Sequence, residues 1–314
     1  MEAVRTPHSA LRTPLRPRDI GGILDQAVVV YRRNFVTFLG IGALIQVPVN
    51  LILALGSTWL LNPANITAPQ SPGFFAGPAA IDQYNQALAL WLSNFLSRAL
   101  LYLLIWILGN VLLSIAAGAL ARAIAEGYMG RQTSIVGAYR AIRRRIPTLI
   151  GMALFQAIAS LTIIIPPVFA WLFINWSFTS QAIVLEDAGV GTALQRSWDL
   201  ARGSWWRIFG AYLLLLVLRL ITSSPASLVQ TLLGLAGAPW EMQNIGSEFV
   251  ALLIGVVFVP FQLTAMTLLY FDLRVRREGF DLGTALDERA GQLGLVPGIY
   301  GGWPYAAPAE RAEG

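Results

Sequence analysis

Arginine is the residue type in this chain with the most chemistry to offer. All 22 basic side chains are Arg and none is Lys, and they cluster: six from Arg5 to Arg33, six from Arg122 to Arg145, three from Arg196 to Arg207 and three from Arg274 to Arg277. Arg289 and Arg311 follow, Arg98 and Arg219 stand apart, and residues 34–97, 146–195 and 220–273 carry no basic side chain. A guanidinium is a planar fork of donors that matches a phosphate oxygen pair. Arg32, Arg33, Arg143, Arg144, Arg145 and Arg202, each just ahead of an apolar run, are therefore the candidate residues for contact with anionic lipid headgroups.

Other chemistry is sparse. The single histidine is His8, in a polar N-terminal segment, and there is no cysteine, so disulfides, thiolate metal sites and thiol nucleophiles are excluded. The acidic pairs Glu186–Asp187 and Asp287–Glu288 are adjacent in sequence and read as helix caps or partners of nearby arginines. No nucleotide-binding loop or nucleophile elbow is present. The expectation is no catalytic residue, no metal and no cofactor; an enzyme would need an unfamiliar arrangement. Arg219 is the exception in placement: it lies twelve residues after Arg207 within one apolar run, about 18 Å deeper along a helix. It either snorkels outward past Ser223 and Ser224 or faces a polar interior where an anion contacts it. With Asn110, Gln156, Asn175 and Thr179 it makes a candidate intramembrane polar site, against which stands the simpler reading of hydrogen bonds between helices.

The elements that must position these residues follow from composition. With 56% apolar and 12% charged residues and a mean hydropathy of +0.61, the chain lies far from the roughly 25% charge of soluble domains. Its net charge of +5 does not point to nucleic acid, because the arginines are spaced at membrane-crossing intervals and not gathered in one basic domain. A crossing takes roughly 20 apolar residues. The spacing predicts an all-α, polytopic integral membrane protein with six transmembrane helices at about 35–60, 99–121, 148–165, 168–185, 206–222 and 250–271. Residues 148–185 carry no charge before Glu186 and are too long for one crossing, so Pro166 and Pro167 mark a break between two. The proline-rich loop after residue 60 has no Arg before Arg98 and is placed outside; the arginine clusters and both termini are placed in the cytoplasm. The domain reading is a polar tail over 1–19, a membrane domain over 20–277 and a largely disordered cytoplasmic tail over 278–314 with one short helical pattern at 281–293.

Anchoring on Gly40, Gly151 and Gly210 aligns three segments. Eight residues before each glycine stands Arg32, Arg143 or Arg202, and apolar residues recur in step: Leu24, Val28, Tyr31 and Phe35; Ile135, Tyr139, Ile142 and Ile146; Leu194, Trp198, Ala201 and Trp205. Offsets of three and four describe one helical face. This predicts three hairpins, each preceded by a cytoplasmic amphipathic helix lying in the interface. The alternative is that basic, partly amphipathic loops are ordinary in polytopic proteins.

The segments Arg16–Asp25 with Tyr31–Phe35, Ala182–Glu186 with Ala193–Trp198, and Tyr270–Arg274 with Arg276–Phe280 resemble the glycerophosphoryl diester phosphodiesterase membrane-domain family over residues 16–285. The resemblance is to the membrane region only. It implies a helical domain of a bacterial cytoplasmic membrane, without the soluble catalytic barrel that accompanies some members and without its hydrolase activity.

The functional expectation is a noncatalytic membrane module that contacts anionic lipids through its cytoplasmic arginines in a scaffold or accessory role, with any protein partner unidentified. A transporter or lipid-handling permease using Arg219 and the polar fourth span is the second reading, and a membrane enzyme the third.

Overall fold

The computed structural model describes residues 19–62, 66–73 and 77–278; the expected N-terminal tail up to residue 18 and the C-terminal tail from residue 279 lie outside the described residues. The elements are α1 (Ile20–Arg33), α2 (Phe35–Leu60), α3 (Pro78–Tyr128), α4 (Ile135–Ile142), α5 (Ile146–Ala159), α6 (Pro166–Asn175), α7 (Thr179–Leu185), α8 (Val190–Ala201), α9 (Trp205–Leu235) and α10 (Trp240–Glu278). Short 3-10 turns occupy Arg143–Arg145 and Ser160–Ile164. Six stretches are long and apolar enough to cross a membrane: Phe35–Leu60, Pro78–Tyr128, Ile135–Ile164, Pro166–Leu185, Trp205–Leu235 and Trp240–Arg277. The third and fourth are separated at Ile165, directly before the two prolines, where missing backbone donors prevent one continuous helix.

The helices overrun the expected spans. α3 begins at Pro78 rather than near Ala99, so its 51 residues extend about 76 Å and much of the expected outer loop is helical. Residues 79–108 contain neither Gly nor Pro and are rich in Ala and Leu, which favour helix whether or not lipid surrounds them. α9 likewise continues past Thr222 through Pro225, and the Ser223, Ser224 and Ser227 hydroxyls bond to carbonyls of their own helix. At the opposite extreme, the fourth span is interrupted: α6 stops at Asn175 and α7 restarts at Thr179. Ser197 of α8, completely buried, spans the gap by donating to the Asn175 carbonyl at 2.7 Å and accepting from the Phe178 N–H at 3.0 Å. One hydroxyl thus satisfies two backbone groups that the break leaves without helical partners.

Short helices α1, α4 and α8 stand directly before α2, α5 and α9. Asp19 caps α1 by accepting from the Gly22 N–H, and Ser134 caps α4 by accepting from the Gly137 N–H. Over the ten residues ending at Gly40, Gly151 and Gly210, the burial pattern is the same at nine positions and differs only at Phe35, Ile146 and Trp205. The glycines also link the three units in a closed ring. A Cβ on Gly40 would lie 2.5 Å from the side chain of Ile135, one on Gly151 3.4 Å from Val190, and one on Gly210 3.4 Å from Ile20. Each partner is the first residue of a short helix, so the unit on Gly40 holds α4, that on Gly151 holds α8, and that on Gly210 holds α1.

The buried face of these helices includes part of the apolar stripe expected: Tyr31, Ile142 and Ala201 are buried, and Leu24, Ile135, Tyr139, Leu194 and Trp205 pack partly buried against the core. The centre of that face is a small residue, Ala27, Ala138 or Ser197, each at 0% exposure, while Val28 is exposed and Leu24, Tyr139, Leu194 and Trp198 are half-buried. Small side chains let helix backbones approach closely, and the larger Ile23, Val30, Ile142 and Leu200 are buried on either side of them. Tyr31 and Tyr139 also reach inward with their hydroxyls, donating to the carbonyls of Val257 and Ile41. Burial pushes the Tyr31 phenol up from its ordinary value, which keeps it a neutral donor.

Candidate functional site: the arginine end of the bundle

The ends of α7, α8 and α10, the turn before α5 and the start of α9 are joined by ion pairs, and a turn at Asp187 organises them. Asp187 has φ of +56°, a left-handed conformation that Asp tolerates better than most residues. The turn ends the fourth span and places two consecutive carboxylates against arginines from different elements. Glu186 accepts from Arg196 Nε at 2.7 Å and lies 3.6 Å from Arg274 Nε, while Asp187 accepts from Arg145 at 2.6 Å. The Tyr270 hydroxyl donates to Glu186, and the Arg274 guanidinium lies 5.9 Å from the Tyr270 ring centroid. Between Tyr270 and Arg274 on α10, Asp272 joins Arg207 at 2.9 Å to Arg276 at 2.8 Å.

These groups are held in a dry setting. The Arg274 side chain is 6% exposed and that of Asp272 5%, and all residues from Thr264 to Arg274 are buried. A helix buried all round serves as an axis for its neighbours. Removing one member of such a pair leaves its partner charged and desolvated, which is why these contacts lock the ends of α7, α8, α9 and α10 together.

A second set of arginines is arranged in the opposite way. Arg32, Arg143 and Arg202 occupy the same position in the three units, between short helix and span; all three are exposed, as are Arg33 and Arg144. None of the five forms an ion pair among the described residues, whereas Arg145 is half-buried and engaged by Asp187. At the third junction the residue after the arginine is Gly203, with φ of +75°, in place of Arg33 or Arg144. Arg277 arrives there from α10: its Nη1 donates to the Asp199 carbonyl at 2.6 Å, and its Nη2 lies 2.8 Å from where a Gly203 Cβ would be. Each junction therefore has at least two guanidinium groups, supplied by neighbouring sequence at the first two and by a distant helix at the third.

The residues considered for an intramembrane site are placed differently. Arg219 and Gln156 are exposed on the sides of α9 and α5. Asn110 donates to the carbonyl of Trp106, Asn175 to that of Trp171 and Thr179 to that of Trp176, each within its own stretch of chain. Asn175 and Thr179 are buried beside the break in the fourth span, and no hydrogen bond connects the five residues to one another among the described residues. What sequence reasoning did not single out is the convergence of Glu186, Tyr270, Asp272 and Arg274. The signal lay in the two short segments Ala182–Glu186 and Tyr270–Arg274, which are far apart in sequence but share the Tyr270–Glu186 hydrogen bond.

Fold and site together define an all-helical protein with six helices suited to crossing a membrane and an arginine-rich end in which some guanidiniums are locked and others exposed. Residues 82–273 match the family described as Domain of unknown function (DUF7847), more than half of the 314-residue chain, and the protein belongs to that family. No match is found among curated proteins or among solved structures.

Proposed function

We propose that the chain is a six-span protein of a bacterial cytoplasmic membrane, with the arginine end and both termini in the cytoplasm, and that it works as a noncatalytic module whose exposed junction arginines hold anionic lipid headgroups. The observation that carries this reading is the division between the two sets of arginines. Those that meet carboxylates fasten the bundle, while Arg32, Arg33, Arg143, Arg144 and Arg202 are exposed, without ion pairs among the described residues, at the point where each unit's apolar span begins. An inner-leaflet phosphate is the abundant anion at that depth, and polybasic contacts of this kind contribute about 1 kcal/mol per arginine. The resemblance to the membrane domains noted in the sequence agrees with this location. The permease reading draws less support, because Arg219 and Gln156 are exposed while Asn175 and Thr179 are buried.

The test is lipid enrichment. Purified protein equilibrated in mixed micelles of phosphatidylglycerol and phosphatidylcholine should carry an excess of phosphatidylglycerol, measured by native mass spectrometry. Replacing Arg32, Arg143 and Arg202 together with Gln should lower that preference about fivefold per arginine. An unchanged preference would defeat the proposal.

A further inference from the structure

The three junctions share an arginine but not its surroundings. At the positions of Val28, Phe35 and Val36 in the first unit, and Tyr139, Ile146 and Pro147 in the second, the third unit has Trp198, Trp205 and Trp206. With Trp171 from α6 these tryptophans line an open groove of about 510 Å³, within the usual range for small-molecule sites. Arg202 lies on its wall, as does Asn175.

The wall is fixed. Trp171 and Trp198 pack edge to face with centroids 4.8 Å apart, and Trp205 stacks on Phe209 at 5.3 Å. Asn175, 5% exposed, is tied by its amide to the Trp171 carbonyl and by its own carbonyl to Ser197. The mouth, in contrast, is open: Trp206 is 77% exposed and Trp171 46%. The Trp205 indole N–H is buried and has no acceptor among the described residues, although a buried indole donor normally finds one.

We infer that this groove is a binding site for one anionic glycerophospholipid, its phosphate held by Arg202 and its glycerol and upper acyl chain laid against Trp171 and Trp206. The inference deepens the proposed function and rests on it. Two features select this occupant. The guanidinium at the wall disfavours a quaternary ammonium, which the aromatic faces alone would accept. The groove also lies beside the start of α9, where an occupant must be charged at one end and apolar at the other. An oxygen of the glycerol ester that enters under a small shift of Trp205 would supply the acceptor its N–H lacks.

The experiment uses full-length protein and the phosphatidylglycerol and phosphatidylcholine probes, with retained lipid counted by native mass spectrometry through successive detergent washes. Wild type should keep one phosphatidylglycerol that resists washing. Retention should fall at least tenfold in Trp206→Ala and in Arg202→Gln, recover in Trp206→Phe, and be unchanged in Arg219→Ala, whose side chain is exposed away from the groove. Trp206 is so exposed that its replacement leaves the fold intact, which thermal unfolding in detergent would check. Loss of that lipid in a double variant Arg32→Gln/Arg143→Gln, with Trp206→Ala and Arg202→Gln keeping it, would overturn the groove while leaving the junction arginines as headgroup contacts. Equal, tryptophan-dependent retention of phosphatidylcholine would overturn the anionic assignment, and no preference in any form would overturn both this inference and the reading beneath it.

Discussion

The two halves of the bundle are built on different terms. Toward the arginine end, α3 is buried at Ala116, Gly118–Ala121 and Ala123–Ala125, every residue of α10 from Thr264 to Arg274 is buried, and carboxylates tie neighbouring helix ends together. In the other half apolar side chains are exposed on α3, α9 and the turn after α5: Leu104 is 64% exposed, Ile164 84%, Leu220 61% and Leu235 81%. The ties there are few and neutral or singly charged, such as Asn244 to Thr58 at 2.6 Å and Asn62 to Glu241 at 2.6 Å. The difference follows from the solvent. On the proposed membrane reading, apolar side chains surrounded by lipid tails gain little by turning inward, so the open half leaves large side chains outside and is joined by polar contacts. At the arginine end small residues of α1, α3 and α4 let the helices approach closely, desolvated ion pairs need exact partners, and packing becomes dense. Unique structure is therefore concentrated in one half, and the other half is free to adjust to the membrane.

Substitutions that break this asymmetry should rank accordingly. The largest effect belongs to Glu186→Ala, which takes a carboxylate from Arg196 and Arg274 and removes the Tyr270 acceptor. A loss of about 3–5 kcal/mol is expected, read as a large fall in thermal midpoint and in monodisperse yield in detergent. Glu248→Ala, in the opposite half, should change neither; equal losses from the two would show that the halves are not held differently. Ser197→Ala comes next, at about 1–3 kcal/mol, because the Asn175 carbonyl and Phe178 N–H lose their shared partner. Hydrogen exchange should speed at Phe178 and not at amides near the middle of α3. Gly40→Val should also cost about 1–3 kcal/mol by forcing Ile135 off its seat. Leu104→Ala should stay within about 0.5 kcal/mol because its side chain leaves lipid contact and not a core. Arg219→Ala is the smallest test, expected to leave both stability and retained phosphatidylglycerol unchanged; loss of a lipid on that substitution would point to a second site in the open half.

Which of this the sequence discloses depends on how far each feature reaches. The six long apolar stretches are legible because uncharged length and the Pro166–Pro167 pair are local properties. The junction arginines are legible for the same reason, through their fixed distance from Gly40, Gly151 and Gly210. Helix ends are not, because hydropathy marks what lipid covers and α3 stays helical for some twenty residues before Ala99. The buried faces are legible in part: Tyr31, Ile142 and Ala201 of the expected stripe are buried, but amphipathicity favours large apolar side chains and passes over Ala27, Ala138 and Ser197 at the contacts. The Glu186 cluster is the least legible part. Arg196 is near it in sequence and could be anticipated as a partner, but Arg274 and Tyr270 are brought in only by the closure of α10 against α7 and α8.

The most direct test of the asymmetry is which face of the membrane each half meets. The chain has no cysteine, so single cysteines can be introduced into a silent background. Ser71→Cys lies in the segment before α3 and Gln132→Cys in the turn between α3 and α4, and both positions are exposed. In intact cells a membrane-impermeant maleimide should label the cysteine at 71 and leave that at 132 unlabelled until the membrane is opened. Labelling of position 132 in intact cells, or protection of 71, would place the arginine end outside and contradict the account.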